Sequence, residues 1–222
     1  RSRGLGDVYK RQDKSMNFKN IECKAEQSLA EPVNQQIAWI TGSQVCYCAE
    51  AFQGVSREHP DAAALSVLAT VLRNGFLHTA IREKGGAYGA GAANDTATNT
   101  FKFFSYRDPK CKETFFAFKD AIEWSKTSIT EQHLEEAILG VVSSIDKPLS
   151  PVGEAKNDFN FNLEDISTEE RLEMRQRVIN CSIKDLIRVS EKYLTKTSKK
   201  SILAGEAYKE EASELGLTLR EV

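Results

Sequence analysis

Arg82 and Tyr88 are the side chains in this sequence whose types and spacing suggest chemistry on a carbonyl group. They sit in the segment Arg82-Glu83-Lys84-Gly85-Gly86-Ala87-Tyr88-Gly89. A guanidinium and a phenol are both hydrogen-bond donors at neutral pH, and neither must lose a proton to act. Such a pair can grip a peptide carbonyl, or stabilise the oxyanion formed when water adds to it. Gly85, Gly86 and Gly89 would let another molecule approach closely, and join Arg82 and Tyr88 as candidate substrate-binding positions. Ala87, Ala90 and Ala92 keep the neighbourhood small. An exposed helix-end arginine and a half-buried strand tyrosine would explain the same residues without any function. Residue types alone leave both readings open.

Other chemistries have less to stand on. The three histidines, His59, His78 and His133, show no H-E-x-x-H spacing. His133-Leu134-Glu135-Glu136-Ala137 comes nearest to an inverted zinc motif, but alanine stands where a second histidine is needed. His78, beside the glycine break, reads as a local hydrogen-bonding residue. The five cysteines, Cys23, Cys46, Cys48, Cys111 and Cys181, include no C-x-x-C pair, so no finger or ribbon zinc site is expected and no metal ligand is assigned in this chain. Cys46 and Cys48 fall on one face of a strand and read as small hydrophobes. No G-x-S-x-G elbow is present, and the glycine-rich stretch from Gly85 to Gly91 lacks the G-K-[ST] of a phosphate loop.

The chain has 222 residues, 41% hydrophobic and 28% charged, with a formal net charge of −2. These values suit a globular domain with a sizeable core and give no sign of nucleic acid or an anionic membrane as partner. No apolar run approaches the roughly 20 residues that span a bilayer. Unpaired thiols point to a reducing compartment, cytoplasm or organelle matrix. Arg1 to Gln12 is basic, aperiodic and unlike the rest of the chain; it reads as a non-native extension, and the chain as a fragment of a longer protein. Residues 13–32 read as a linker or edge segment, and 33–222 as a single domain.

Elements must position the candidate site. Alternation predicts strands over 36–41 and 45–52, joined by the turn Thr41-Gly42-Ser43. A helix comes next, with Pro60 at its first position, Leu65, Leu68, Val71 and Leu72 as its stripe, and Gly75 at its end. Phe76 to Arg82 is a short second helix after a kink, broken by Lys84-Gly85-Gly86. Ala87 to Asn94 reads as a strand or extended loop, and Thr100 to Tyr106 as a strand. Helices are expected over 112–125 and 131–145, the latter capped by Thr130, and then after the capping box Ser167-Thr168-Glu169-Glu170 and after Ser182. Residues 146–160, with Pro148 and Pro151, read as a turn-rich connection. Ser201 to Ala204 is a short strand and Ala207 to Leu215 a last helix. Paired strands and clustered helices make an α+β two-layer sandwich, a mainly antiparallel sheet covered by helices.

The segment from Phe76 to Gly89 resembles the pitrilysin/insulinase family of zinc metallopeptidases, most closely its presequence-protease branch. Gln44-Val45-Cys46-Tyr47, Pro60 to Leu65, Phe104 to Pro109 and Lys147 to Pro151 fit in the same order, so the resemblance spans about Val33 to Leu203. It implies homologous α/β domains in two bowl-shaped halves around a chamber. The N-terminal half would hold zinc through an H-x-x-E-H motif and supply the general base. The C-terminal half would supply an arginine and a tyrosine to the substrate carbonyl, which by motif are Arg82 and Tyr88. The zinc motif is absent here, and Cys46 stands where relatives commonly have asparagine. The resemblance thus implies the C-terminal, substrate-binding half of a zinc metalloendopeptidase that degrades short unfolded peptides such as cleaved presequences. Its partners would be its own N-terminal half and the peptide; alone it would be inactive. A non-catalytic processing-peptidase-like subunit and a structural peptide-binding domain are the alternatives.

Overall fold

The computed structural model describes residues 35–221. The expectations for residues 1–12 and 13–32 lie outside the described residues. Six strands form one sheet: β1 (Ile37–Thr41), β2 (Cys46–Gln53), β3 (Gly89–Asp95), β4 (Thr100–Asp108), β5 (Lys199–Gly205) and β6 (Thr218–Glu221). Their order is β3-β4-β2-β5-β1-β6. The pairings of β2 with β4, β2 with β5 and β3 with β4 are antiparallel, while β1 runs parallel to both β5 and β6. The α+β sandwich is the expected one, with a mixed sheet.

Alternation along the strands decides which face is covered. Cys46, Cys48, Glu50 and Phe52 of β2 are buried, as are Phe101, Phe103 and Ser105 of β4, Ala38 and Ile40 of β1, and Ile202 and Ala204 of β5. A period of two is what a sheet with one packed face requires. Against that face lies α1 (Ala62–Leu72), nine of whose eleven residues are buried. A helix apolar on nearly every side belongs in the interior. Around α1 and the sheet pack α2 (Lys112–Thr127), α3 (Glu131–Ile145), α5 (Thr168–Ile179) and α6 (Ile183–Tyr193), while α4 (Pro151–Leu163) buries none of its side chains and α7 (Lys209–Glu214) buries Ala212 near the sheet edge. The caps are as expected: Thr130, Ser167 and Ser182 each accept from the backbone N–H three residues on, each in a reciprocal capping box. His133 supplies the return bond at α3, its Nδ1 accepting from Thr130 N at 3.2 Å.

Several expectations are corrected. The first two strands exist but do not form a hairpin, because β5 inserts between them; the short turn only carries the chain from one strand to the next but one. The turn-rich connection contains α4, with Ser150 as cap and Pro151 in the first turn. Proline there loses only an N–H that has no helical partner, so it starts a helix as readily as it marks a turn. Pro60 precedes the helix, whose N-cap is Asp61. The last strand, β6, lacked a readable alternation and is short and exposed.

The largest correction is at Gly75. The helix does not stop; it widens into a π-helix over Arg73–Glu83, giving one continuous helix Ala62–Glu83 of 22 residues. By length and composition this helix could cross a bilayer, unlike any run expected from the sequence, but half of its most apolar window is buried in the fold. Gly75 serves packing instead: a Cβ there would meet Trp124 Cη2 at 2.6 Å.

Candidate functional site

The π-helix delivers the first half of the site. Hydrogen bonds to the fifth residue widen each turn, so side chains four and five apart share a face. His78 accordingly meets both neighbours: its Nε2 lies 2.9 Å from Arg82 Nη1 and its Nδ1 lies 3.4 Å from Glu83 Oε1. The expected local hydrogen-bonding role of His78 is thus to brace Arg82. The helix ends through bonds from Lys84 N to Thr79 O, Gly86 N to Arg82 O and Ala87 N to Ile81 O. Gly86 takes φ +87°, a conformation costly for any residue with a Cβ. Gly85 packs directly on the helix end, where an added Cβ would lie too close to the Ile81 carbonyl.

The sheet edge delivers the second half. Tyr88 immediately precedes β3 and is 62% exposed. Its backbone N–H donates to Arg107 O at 3.2 Å. Arg107 lies where the β2–β4 register shifts, and its own φ is +48°. An extra residue in a strand bends it and re-aims the neighbouring side chains. The Arg107 guanidinium lies 5.8 Å from the centre of the Tyr88 ring, and Tyr106 packs on that ring from 5.5 Å at a 58° tilt. Gly89 is buried beneath Tyr106, where a Cβ would collide with the ring.

Arg82, Gly86 and Tyr88 therefore line one open groove of about 720 Å³ with His78, Glu83, Ala87 and Arg107. Gly85 and Gly89 are not among its lining residues; they permit the helix end and the tyrosine stack. Arg107 and Tyr106 were not anticipated as site residues. Both stand in the stretch Phe104 to Pro109 that carries the resemblance, and a basic residue following a strand's last aromatic was the available signal. The groove offers two guanidiniums and a phenol as donors, beside the Glu83 carboxylate that lies against His78. Among the described residues Arg82 and Arg107 form no ion pair and the Tyr88 hydroxyl has no partner.

No described group fits the catalytic zinc implied by the resemblance. The three histidines are dispersed: His59 Nδ1 accepts from Asp61 N, His78 braces Arg82, and His133 completes a helix cap. Among the described residues, the group of potential ligands that converges is Cys46, Cys48 and Cys111. It is buried in the core, whereas hydrolysis needs a metal with an open coordination position. The expected shared face of Cys46 and Cys48 is present, and Cys46 Sγ donates to Asp108 O at 3.1 Å.

A profile of the PreP C-terminal domain matches residues 42–204. The chain belongs to that family. The mitochondrial presequence protease of Eremothecium gossypii is 40% identical over 157 residues, 70% of this chain and 16% of that protein. That of Xenopus tropicalis is 38% identical over 179 residues, 80% of this chain and again 16% of the relative. The chain thus spans about one sixth of the length of the curated relatives it matches. Among solved structures, a protease from Helicobacter pylori superposes with a TM-score of 0.68 at 19% identity, covering 91% of this chain and 53% of that one. Pitrilysin superposes at 0.60 with 12% identity, covering 84% and 22%. The fold is that of a pitrilysin-like peptidase domain, as the sequence resemblance implied.

Proposed function

We propose that this PreP C-terminal domain is the substrate-binding half of a zinc-dependent peptidase that degrades short unfolded peptides, cleaved presequences among them. The observation that carries the reading is the convergence of Arg82 and Tyr88, from a helix end and a sheet edge, on one solvent-open groove. In this reading Arg82, braced by His78, binds a backbone carbonyl of an extended peptide. The Tyr88 hydroxyl donates to the carbonyl oxygen as negative charge develops on it, a contribution that grows toward the transition state. Arg107 keeps the groove electropositive and the Tyr88 ring in place. Zinc, held by the N-terminal half, would activate water at neutral pH, which no group in this groove can do. The domain alone is then inactive, and its partners are its own N-terminal half and the peptide. The mitochondrial names of the relatives favour the organelle matrix as its compartment.

The test is steady-state kinetics on the full-length protein with a presequence-like peptide. Tyr88→Phe should lower kcat with little change in KM, and Arg82→Ala should lower kcat/KM. An unchanged rate in both variants would refute the reading. Peptide binding that survives in a full-length protein without turnover would favour a non-catalytic, processing-peptidase-like partner instead.

A further inference from the structure

A cluster of sulfur lies on the covered face of the sheet, apart from the groove. Cys46 and Cys48 are two residues apart on β2 and point inward together, their Sγ atoms 3.8 Å apart. Cys111, the N-cap residue of α2, adds a third thiol from the segment that follows β4, whose Asp108 pairs with Cys46. All three sulfurs lie within 4.8 Å of one another, and the residues are 0%, 1% and 0% exposed. The regular alternation of β2 puts both side chains on its covered face.

The spacing matches that of ligands around a metal. A thiolate–metal bond of about 2.3 Å separates sulfurs by about 3.8 Å in a tetrahedron and about 4.0 Å in a trigonal plane. A disulfide brings two sulfurs to about 2.05 Å and would leave the third thiol unused. Residues i and i+2 of a strand have Cα atoms roughly 6.8 Å apart, at the limit of what a disulfide spans. The donor set is soft, and no imidazole or carboxylate joins it among the described residues. Structural zinc takes four ligands, whereas thiolate-only sites with fewer ligands suit monovalent copper. The N-terminus of the 16-residue helix α2 begins at Cys111, whose side chain makes no capping bond to it. Its positive end offsets the negative charge of thiolates.

We propose that Cys46, Cys48 and Cys111 form a buried three-sulfur site that binds one Cu(I) ion. Each thiol that ligates as thiolate releases its proton to solvent, so affinity rises with pH. The bound ion ties β2 to the start of α2 and takes no part in peptide hydrolysis.

The test uses the full chain, reduced and under anaerobic conditions. Cu(I) is supplied as its acetonitrile complex against a chromogenic Cu(I) chelator. One copper should be retained per chain, seen as a single-copper mass shift under non-denaturing conditions and a thiolate-to-copper charge-transfer band in the ultraviolet. X-ray absorption at the copper edge should show a first shell of three sulfurs, a readout that needs no variant. Cys48→Ala and Cys111→Ser should each lose the band while far-ultraviolet circular dichroism stays unchanged; Cys181→Ser should keep it. Complete loss of copper to the chelator, a first shell containing nitrogen or oxygen, retention of the band in Cys111→Ser, or zinc retained in place of copper would each overturn the proposal.

Discussion

The Asp61 cluster and the Arg82–Tyr88 groove use the same side-chain types to opposite ends. Asp61 is only 4% exposed, and its carboxylate accepts from Arg188 Nη1 at 2.6 Å, Lys192 Nζ at 2.8 Å and the Tyr193 hydroxyl at 2.7 Å. These bonds tie the start of α1 to α6. Burial by itself would raise the carboxyl pKa, but the hydrogen bonds from Lys192, Tyr193 and Arg188 overcome it and hold the group well below the ordinary carboxylate range. In the groove two arginines and a tyrosine face solvent, and the carboxylate in its lining, Glu83, lies against His78 and pairs with neither arginine among the described residues. Donors that are buried and satisfied hold a fold together. Donors that are fixed in place yet left open are available to a ligand, and the bracing of Arg82 by His78 and of Tyr88 by Tyr106 provides the fixing.

Substitutions at the two clusters should act in opposite directions. In the full-length protein, Tyr88→Phe or Arg82→Ala should slow turnover by about 10- to 1000-fold, while thermal unfolding shows a stability change within about 0.5 kcal/mol. A large stability loss would make the groove a structural cluster after all. Asp61→Asn should do the reverse, costing about 2 kcal/mol in denaturant unfolding, less than a fully buried pair because Arg188 and Lys192 are half-exposed. Equal stability in that variant would remove the contrast.

Acid unfolding probes the buried cluster alone. With a folded pKa below the unfolded value of about 3.9, Asp61 contributes its full stability above about pH 5, and loses it as pH falls toward the folded value. Unfolding midpoints should therefore drop on acidification in the wild-type chain and drop less in Asp61→Asn; parallel curves would show that Asp61 is not the group responsible. Smaller effects test the bracing. Gly89→Ala should displace Tyr106, lowering full-length turnover several-fold at a stability cost of about 1 kcal/mol. Gly75→Ala, which forces Trp124 to move, should cost about 1–2 kcal/mol in thermal unfolding and leave turnover unchanged.

What was legible in the sequence was local. Ser167 with Glu170, Ser182 and Thr130 announce helix starts because a cap needs only residues three positions apart. The apolar period of α3 and the alternation of β2 and β4 needed nothing beyond their own segments. Arg82, Gly86 and Tyr88 were legible as a site because they lie within seven residues of one another. Signals with two meanings were not legible: Pro151 suits both a turn and a helix start, and Gly75 both a helix end and a close contact with Trp124.

Short-range periodicity and contiguous motifs were enough to specify most element types and the family to which the chain belongs. Long-range contacts were needed to establish that β5 separates β1 from β2, that the helix before the site widens rather than ends, and that Arg107 joins Tyr88 through a bulge. They alone brought Cys111 beside Cys46 and Cys48. The strand order, the packing of Gly75 on Trp124 and the cysteine cluster join residues far apart in the chain, whose closure entropy is met only by the burial of the assembled core.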